Sequence, residues 1–232
     1  ALAVKGISTA FREARAAVGE AANRETMETA FIPLLGSAKA ARERMAELAD
    51  FAAHTPFQLP GIAAASRTLE SLTDGALSTG DGLRLVGDAA SAQNTPIEEM
   101  AVTIGRLYSG LDSGRPVGEA MQRLQELGAI SPDVRTKLEK LQAEGKKGAE
   151  VWQVAAEELA RFSGGMELQS QTWNGKISTL SDNWAQVRAE FGKPIMDALK
   201  PLLDEGIGSL ESMAAKAKEI GETIAYAMRF MI

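Results

Sequence analysis

Apolar side chains recur at steps of three and four residues along nearly the whole chain. No stretch alternates apolar with polar positions for more than a few residues. That periodicity belongs to helices, in which residues three and four apart share a face. The strongest stripe is Trp173, Ile177, Leu180, Trp184, Val187 and Phe191, with Asn174, Lys176, Ser178, Asp182, Arg188 and Glu190 off it. A helix carrying two Trp and a Phe on one stripe reads as a packing element, so these six residues are expected in the core. Gly192-Lys193-Pro194 is expected to break the helix, because proline fits a first turn and not an interior. Ile195, Leu199 and Leu202 then continue an apolar face in a second helix.

The rest of the chain is punctuated in the same way. Residues 1–30 read as one helix, with Val4, Ile7, Phe11, Ala14 and Val18 on its apolar side and a break at Pro33. Ser37 caps a helix running to Ala53, with Ala41, Met45, Leu48 and Ala52 on one face. Pro56 and Pro60 force an extended connector, since each biases the residue before it away from helix; Phe57 and Leu59 are expected to turn inward. Further helices are predicted over 61–73, from Thr79 or Asp81 to Asn94, and from Thr95-Pro96-Ile97-Glu98 to Tyr108. Others follow over 116–127, 131–143 and 149–162, the last with Val151, Trp152, Ala155 and Leu159 inward. The expected fold class is all-α: about ten helices in antiparallel helical hairpins, with a long amphipathic helix near 165–191. Phe51, Phe57 and Trp152 join the stripe as expected core residues. A final helix carries Ile207, Leu210, Ala214, Ala217, Ile220 and Ile224 at steps of three and four, and is read as a self-association element.

Composition narrows the chemistry. The net charge of −6 is spread without a basic block, which argues against a specific nucleic-acid partner. There is no cysteine, hence no disulfide framework and no thiolate metal site. The single histidine, His54, falls at a helix end, where it can meet free carbonyls, and one histidine builds neither a Ser-His-Asp triad nor a metal-His cluster. Glu98-Glu99 and Glu157-Glu158 are sequence neighbours that point about 100° apart on a helix, and read as solvated faces. The glycines of 105–118 lack the Lys-Ser/Thr and preceding strand of a phosphate loop. No catalytic, cofactor-binding or metal-ligating residues are therefore expected, and no enzyme. The chain begins without Met and ends in a helical, mostly apolar pattern shorter than the ~20 residues that span a bilayer. It reads as a piece of a longer protein, with any membrane contact made by segments outside it.

One ordered set of short motifs is more specific. It starts with a Leu-x-x-Phe-Ala helix ending in Thr-Pro-Phe (Leu48, Phe51, Ala52, Thr55, Pro56, Phe57). Gly87-Asp88-Ala89-Ala90, Gly128-Ala129-Ile130-Ser131, and Phe162 with Gly164-Gly165-Met166 follow. Ser170, Thr172, Gly175, Leu180, Asp182, Gly192-Lys193-Pro194 and Leu199-Lys200-Pro201-Leu202-Leu203 complete it. In this order and spacing the chain resembles the conserved domain of tail tape measure proteins of long-tailed bacteriophages and prophages. The resemblance covers about Phe31 to Leu203, and departs from the family at 111–132, where a longer Gly-Ile-Pro stretch is common. It implies a helical tape-measure domain over 31–204, between an N-terminal helical segment, 1–30, and a C-terminal helix, 205–232, leading into the remainder of the parent chain. It further implies a structural virion protein of the tail-tube lumen, present in the host cytoplasm during assembly. Such proteins set tail length, template tube polymerisation and leave with the DNA at infection. The implied partners are tail tip or hub proteins, the tube protein, tail assembly chaperones and other copies of the same chain, following three- or sixfold symmetry.

A ruler is a long, little-interrupted helix, and 232 residues at ~1.5 Å each would span about 350 Å. Proline and glycine interrupt this chain too often for that, so it is expected to be a folded module attached to ruler segments elsewhere. The alternative is a helical protein–protein interaction module unrelated to phage tails. Trp173-Asn174-Gly175 is similar to the W-x-G tripeptide of small secreted helical-hairpin proteins, which lies in a turn between two helices. Here the pattern places it inside a continuous stripe.

Overall fold

The computed structural model describes residues 2–204, with side chains from Arg12 to Lys200 other than those at 173, 198 and 199. The described residues form ten α-helices, one short 3-10 turn and no strand, so the fold class is all-α. The helices are α1 (Leu2–Leu35), α2 (Ala38–Ala53), α3 (Leu59–Thr73), α4 (Gly80–Ala92), α5 (Ile97–Ser113), α6 (Gly118–Glu126), α7 (Pro132–Ala143), α8 (Ala149–Leu159), α9 (Gly165–Ser170) and α10 (Trp173–Asp204). They fall into two units: Phe31–Leu180, and the described residues up to Ala30 together with those from Ser181 on.

In the larger unit α5 is the central element, packed against α3, α4, α6 and α8. Its buried side carries Ile97, Met100, Ala101, Ile104, Leu107 and Leu111. α3 answers with Leu59, Ile62, Ala63, Ala65 and Leu69, and α2 adds Met45 and Leu48. Several ends follow the sequence. The Ser37 hydroxyl accepts the Ala40 N–H at 3.1 Å and starts α2, and Ser131 accepts from Val134 to start α7. Val117, Met121 and Leu124 are buried as expected. His54 caps α2, its Nδ1 2.8 Å from the Asp50 carbonyl oxygen.

Other ends differ. α5 runs past Tyr108 to Ser113 and stops where Gly114 takes the left-handed conformation at φ 73°. Its N-cap is Pro96; Thr95, expected there, bonds the Gln93 carbonyl instead. α1 continues through Pro33 to Leu35, because a proline three residues from a helix end removes only one hydrogen bond from a turn that is about to finish.

In the smaller unit α1 meets α10 through small residues. Ala14, Ala17 and Ala21 are buried on α1, and Ala189 and Ile195 on α10. Val18 and Phe191 pack around the Ala14–Ile195 contact. A methyl group on Gly192 would overlap the Ala17 carbonyl, so the two backbones approach closely here. Arg24–Glu190 (2.9 Å) and Lys200–Glu25 ion pairs flank this contact. Gly192-Lys193-Pro194 accordingly does not break the helix: α10 is continuous across it. Gly192 serves close packing, and Pro194 frees the carbonyl of Glu190, an exposed residue where water can satisfy it.

Candidate functional site

Several of the motif pieces meet in the larger unit. Asp88, in the last two turns of α4 and only 5% exposed, accepts the N–H of Gly164 (3.2 Å) and of Met166 (3.0 Å), one on each carboxylate oxygen. It thereby caps the start of α9 from another helix, supplying acceptors for two N–H groups there that have no partner within the helix. Gly87 leaves the room that Met166 fills, and a methyl on Gly165 would stand 2.8 Å from the Asp88 carbonyl oxygen. A second meeting point lies at the start of α10. Ser178 donates to the Pro56 carbonyl (3.1 Å) and Thr179 to that of Thr55 (3.5 Å), so the Thr-Pro-Phe turn is held by residues more than a hundred positions away. Gly175 is buried against the backbone of Gln169 and Ser170, where no side chain fits. Gly128-Ala129-Ile130-Ser131 makes a third: Arg161 donates to the Gly128 carbonyl (2.8 Å), and the Ser131 N–H to Glu158 (3.0 Å). Glu158, expected on a solvated face, instead joins α8 to the start of α7.

A polar cluster ties α2 to α3 and to the turn that follows it. Arg44 donates to Glu70 at 2.8 Å, the Ser78 hydroxyl donates to the same carboxylate at 2.6 Å, and Ser66 donates to the Ser78 carbonyl at 2.7 Å. The Arg44 guanidinium also lies over the Phe31 ring, 5.9 Å from its centroid. Burial pushes the Glu70 carboxyl up, but the Ser78 hydrogen bond and the Arg44 guanidinium outweigh it and hold the group below its ordinary range. Every member of this cluster has a partner, which makes it a brace more than a reactive centre. Among the described residues no group of His, Asp and Glu is placed to hold a metal ion, and no helix is long and apolar enough to cross a membrane. A groove of about 490 Å³ lies between α5 and α6 and is open and charged, with the Glu99–Arg123 ion pair on its wall.

The residues expected in the core divide. Phe51, Phe57 and Trp152 are half-buried, Trp152 edge-on to Tyr108 at 5.0 Å between ring centroids. Phe191 is half-buried against Ala14 and Ile195. Ile177, Leu180, Trp184 and Val187 are not core: they are 48%, 64%, 48% and 42% exposed. The side chain of Trp173, and Ile207, Leu210, Ala214, Ala217, Ile220 and Ile224, lie outside the described residues. The reason for the exposed stripe is that α10 has a second, flatter side. Gly175, Ser178, Thr179, Ala189 and Gly192 face the contacts just described, and small residues let a helix come closer than a bulky stripe would. Leu168 on α9 is exposed as well.

Sequence reasoning did not single out Asp88 as a cap or Arg44, Glu70 and Ser78 as a cluster. The signal for Asp88 was present: an acid inside the apolar run Leu83 to Ala92, among small residues, has no cheap place unless something caps or pairs it. Compared with known protein families, with curated proteins and with solved structures, the chain finds no match in any of the three.

Proposed function

We propose that the chain is a folded module of a phage or prophage tail tape measure protein, a structural component of the tail that helps set its length and template its tube, and that leaves when the DNA is ejected. The observation that supports this reading is the convergence of the motif residues: Asp88 with Gly164 and Met166, and Thr55-Pro56 with Ser178 and Thr179. Several of the pieces that carry the resemblance are pieces that lie in contact with one another. The module is a positioning body, not the ruler, since the eight helices α2 to α9 are each only 6–17 residues long and are separated by turns. Its partners on this reading are tail tip or hub proteins, the tube protein, tail assembly chaperones and its own copies.

The test is tail length by electron microscopy after a helical segment is inserted in the parent gene just beyond Ile232. Lengthening by ~1.5 Å per inserted residue is the expected result. Normal tails of unchanged length, or absence of the chain from purified tails by mass spectrometry, would overturn the reading.

One observation favours the alternative, a secreted helical-hairpin module. Trp173-Asn174-Gly175 does not lie inside a continuous helix but opens α10, directly after the Gln171-Thr172 turn that ends α9. Yet α9 has only six residues, too few to form the matching arm of a hairpin.

A further inference from the structure

We propose that the pocket where α3, α5 and the start of α6 meet binds a phosphate group, as the free ion or as a small monoester. The pocket has a volume of about 290 Å³. Leu72 and Val117 are on its apolar wall, and Arg106, Ser109, Arg115 and Glu119 on its polar one. Every one of these residues belongs to the larger unit.

The two guanidiniums carry the argument. Arg115 is fixed by hydroxyls: its Nε donates to Ser113 Oγ at 2.8 Å and a terminal nitrogen to Ser109 Oγ at 3.1 Å. Ser113 in turn donates to the Ser109 carbonyl at 2.6 Å. Neutral acceptors hold the group in place without cancelling its charge. Among the described residues no carboxylate pairs with Arg115 or with Arg106, although Glu119 lines the same pocket. Neighbouring arginines are paired: Arg123 of α6 bonds Glu99, and Arg135 of α7 bonds Glu139. Two unpaired like charges beside one cavity repel each other, and an anion bound between them removes that repulsion.

The donor set favours phosphate over carboxylate. A planar carboxylate is matched by one guanidinium, which takes both oxygens with parallel N–H bonds. This pocket offers a second guanidinium. It also offers the Ser109 hydroxyl, whose oxygen accepts from Arg115 and whose hydrogen has no acceptor among the described residues. α6 begins here as well: Glu119 and Ala120 of its first turn line the pocket and no side chain caps it, so its dipole adds a positive field. Donors carried by α5, by the α5–α6 connection and by α6 suit a tetrahedral anion with oxygens on several sides. The Glu119 carboxylate opposes the anion, so weak binding, about millimolar, is expected. This inference rests on the pocket alone and not on the tail reading.

Titration of the full chain with inorganic phosphate, followed by amide NMR with sodium chloride holding the ionic strength constant, tests it. The amides of Ser109, Arg115, Glu119 and Ala120 are expected to shift together and saturate. Arg106→Gln and Arg115→Gln change exposed residues, circular dichroism checks that each variant stays folded, and each is expected to weaken binding roughly tenfold. Glu119→Gln is expected to tighten it about twofold or more. Arg84→Gln, which removes an exposed arginine of α4 outside the pocket, is expected to leave binding unchanged. Phenyl phosphate binding more tightly than the free ion would mark the ligand as a monoester, and equal binding as free phosphate. No saturable shift up to tens of millimolar phosphate, acetate binding as tightly as phosphate, or equal weakening by Arg84→Gln and Arg115→Gln would each overturn the proposal.

Discussion

Asp88 offers the sharpest test of how the larger unit is held together. Replacing it with alanine removes both acceptors from the Gly164 and Met166 N–H groups. Loss of a helix cap costs about 0.5–2 kcal/mol, and a buried donor left without a partner costs about 1–3 kcal/mol. Met166 is buried and its N–H has no route to water, whereas Gly164 is only partly covered. The full penalty therefore applies at one site and a reduced one at the other, giving an expected loss of ~2–4 kcal/mol. Asp88→Asn keeps one acceptor oxygen and is expected to fall between alanine and the parent. With a urea dependence of about 1–3 kcal/mol per molar, the unfolding midpoint of the alanine variant drops by roughly 1–2 M. Because the chain has two units, the transition must be read from the larger one, through hydrogen exchange at α3 and α5. The same experiment localises the effect, since the amides of Gly164 and Met166 should lose protection first. A loss under ~0.5 kcal/mol, or a large loss with those two amides still protected, would refute the capping argument.

Three further outcomes follow from the same contacts. Gly192→Ala drives a methyl into the backbone of Ala17, which cannot move aside as a side chain would; a loss of about 1–3 kcal/mol is expected in the smaller unit, seen as faster amide exchange over residues 12–24. Glu70 has a folded value below its ordinary 4.5, so its contribution is fully present above the unfolded value and is lost as pH falls through the folded one. The difference in melting temperature between the parent and Glu70→Gln should therefore shrink from about pH 6 to about pH 3, and a constant difference would sink the assignment. Ser37→Ala should cost ~0.5–2 kcal/mol by thermal melting, because its hydroxyl takes the Ala40 N–H.

Capping and period are local, and they were legible. Ser37, Ser131 and the apolar faces of α2 and α6 stand where sequence places them, because each depends on residues within one or two turns. Proline was the poorest guide. Pro33 and Pro194 both look like breaks, yet each costs one hydrogen bond at a place where the carbonyl can find water. At Pro194 the helix is also held in line by the Gly192 contact with α1, a distant partner that no local rule can supply.

The stripe on α10 shows a deeper limit. Amphipathicity tells which face of a helix is apolar, but a helix can have two faces that a neighbour might cover. In the part of α10 from Ser181 on, the bulky face loses to the small one, because Ala189 and Gly192 admit the α1 backbone and Trp184 and Val187 would hold it off. The same logic accounts for the character of the motif pieces. Asp88, Gly165, Gly175 and Ser178 are small or polar residues at points where two backbones nearly touch or an N–H must be met. Few side chains satisfy such a point, while an apolar core position accepts several of similar volume.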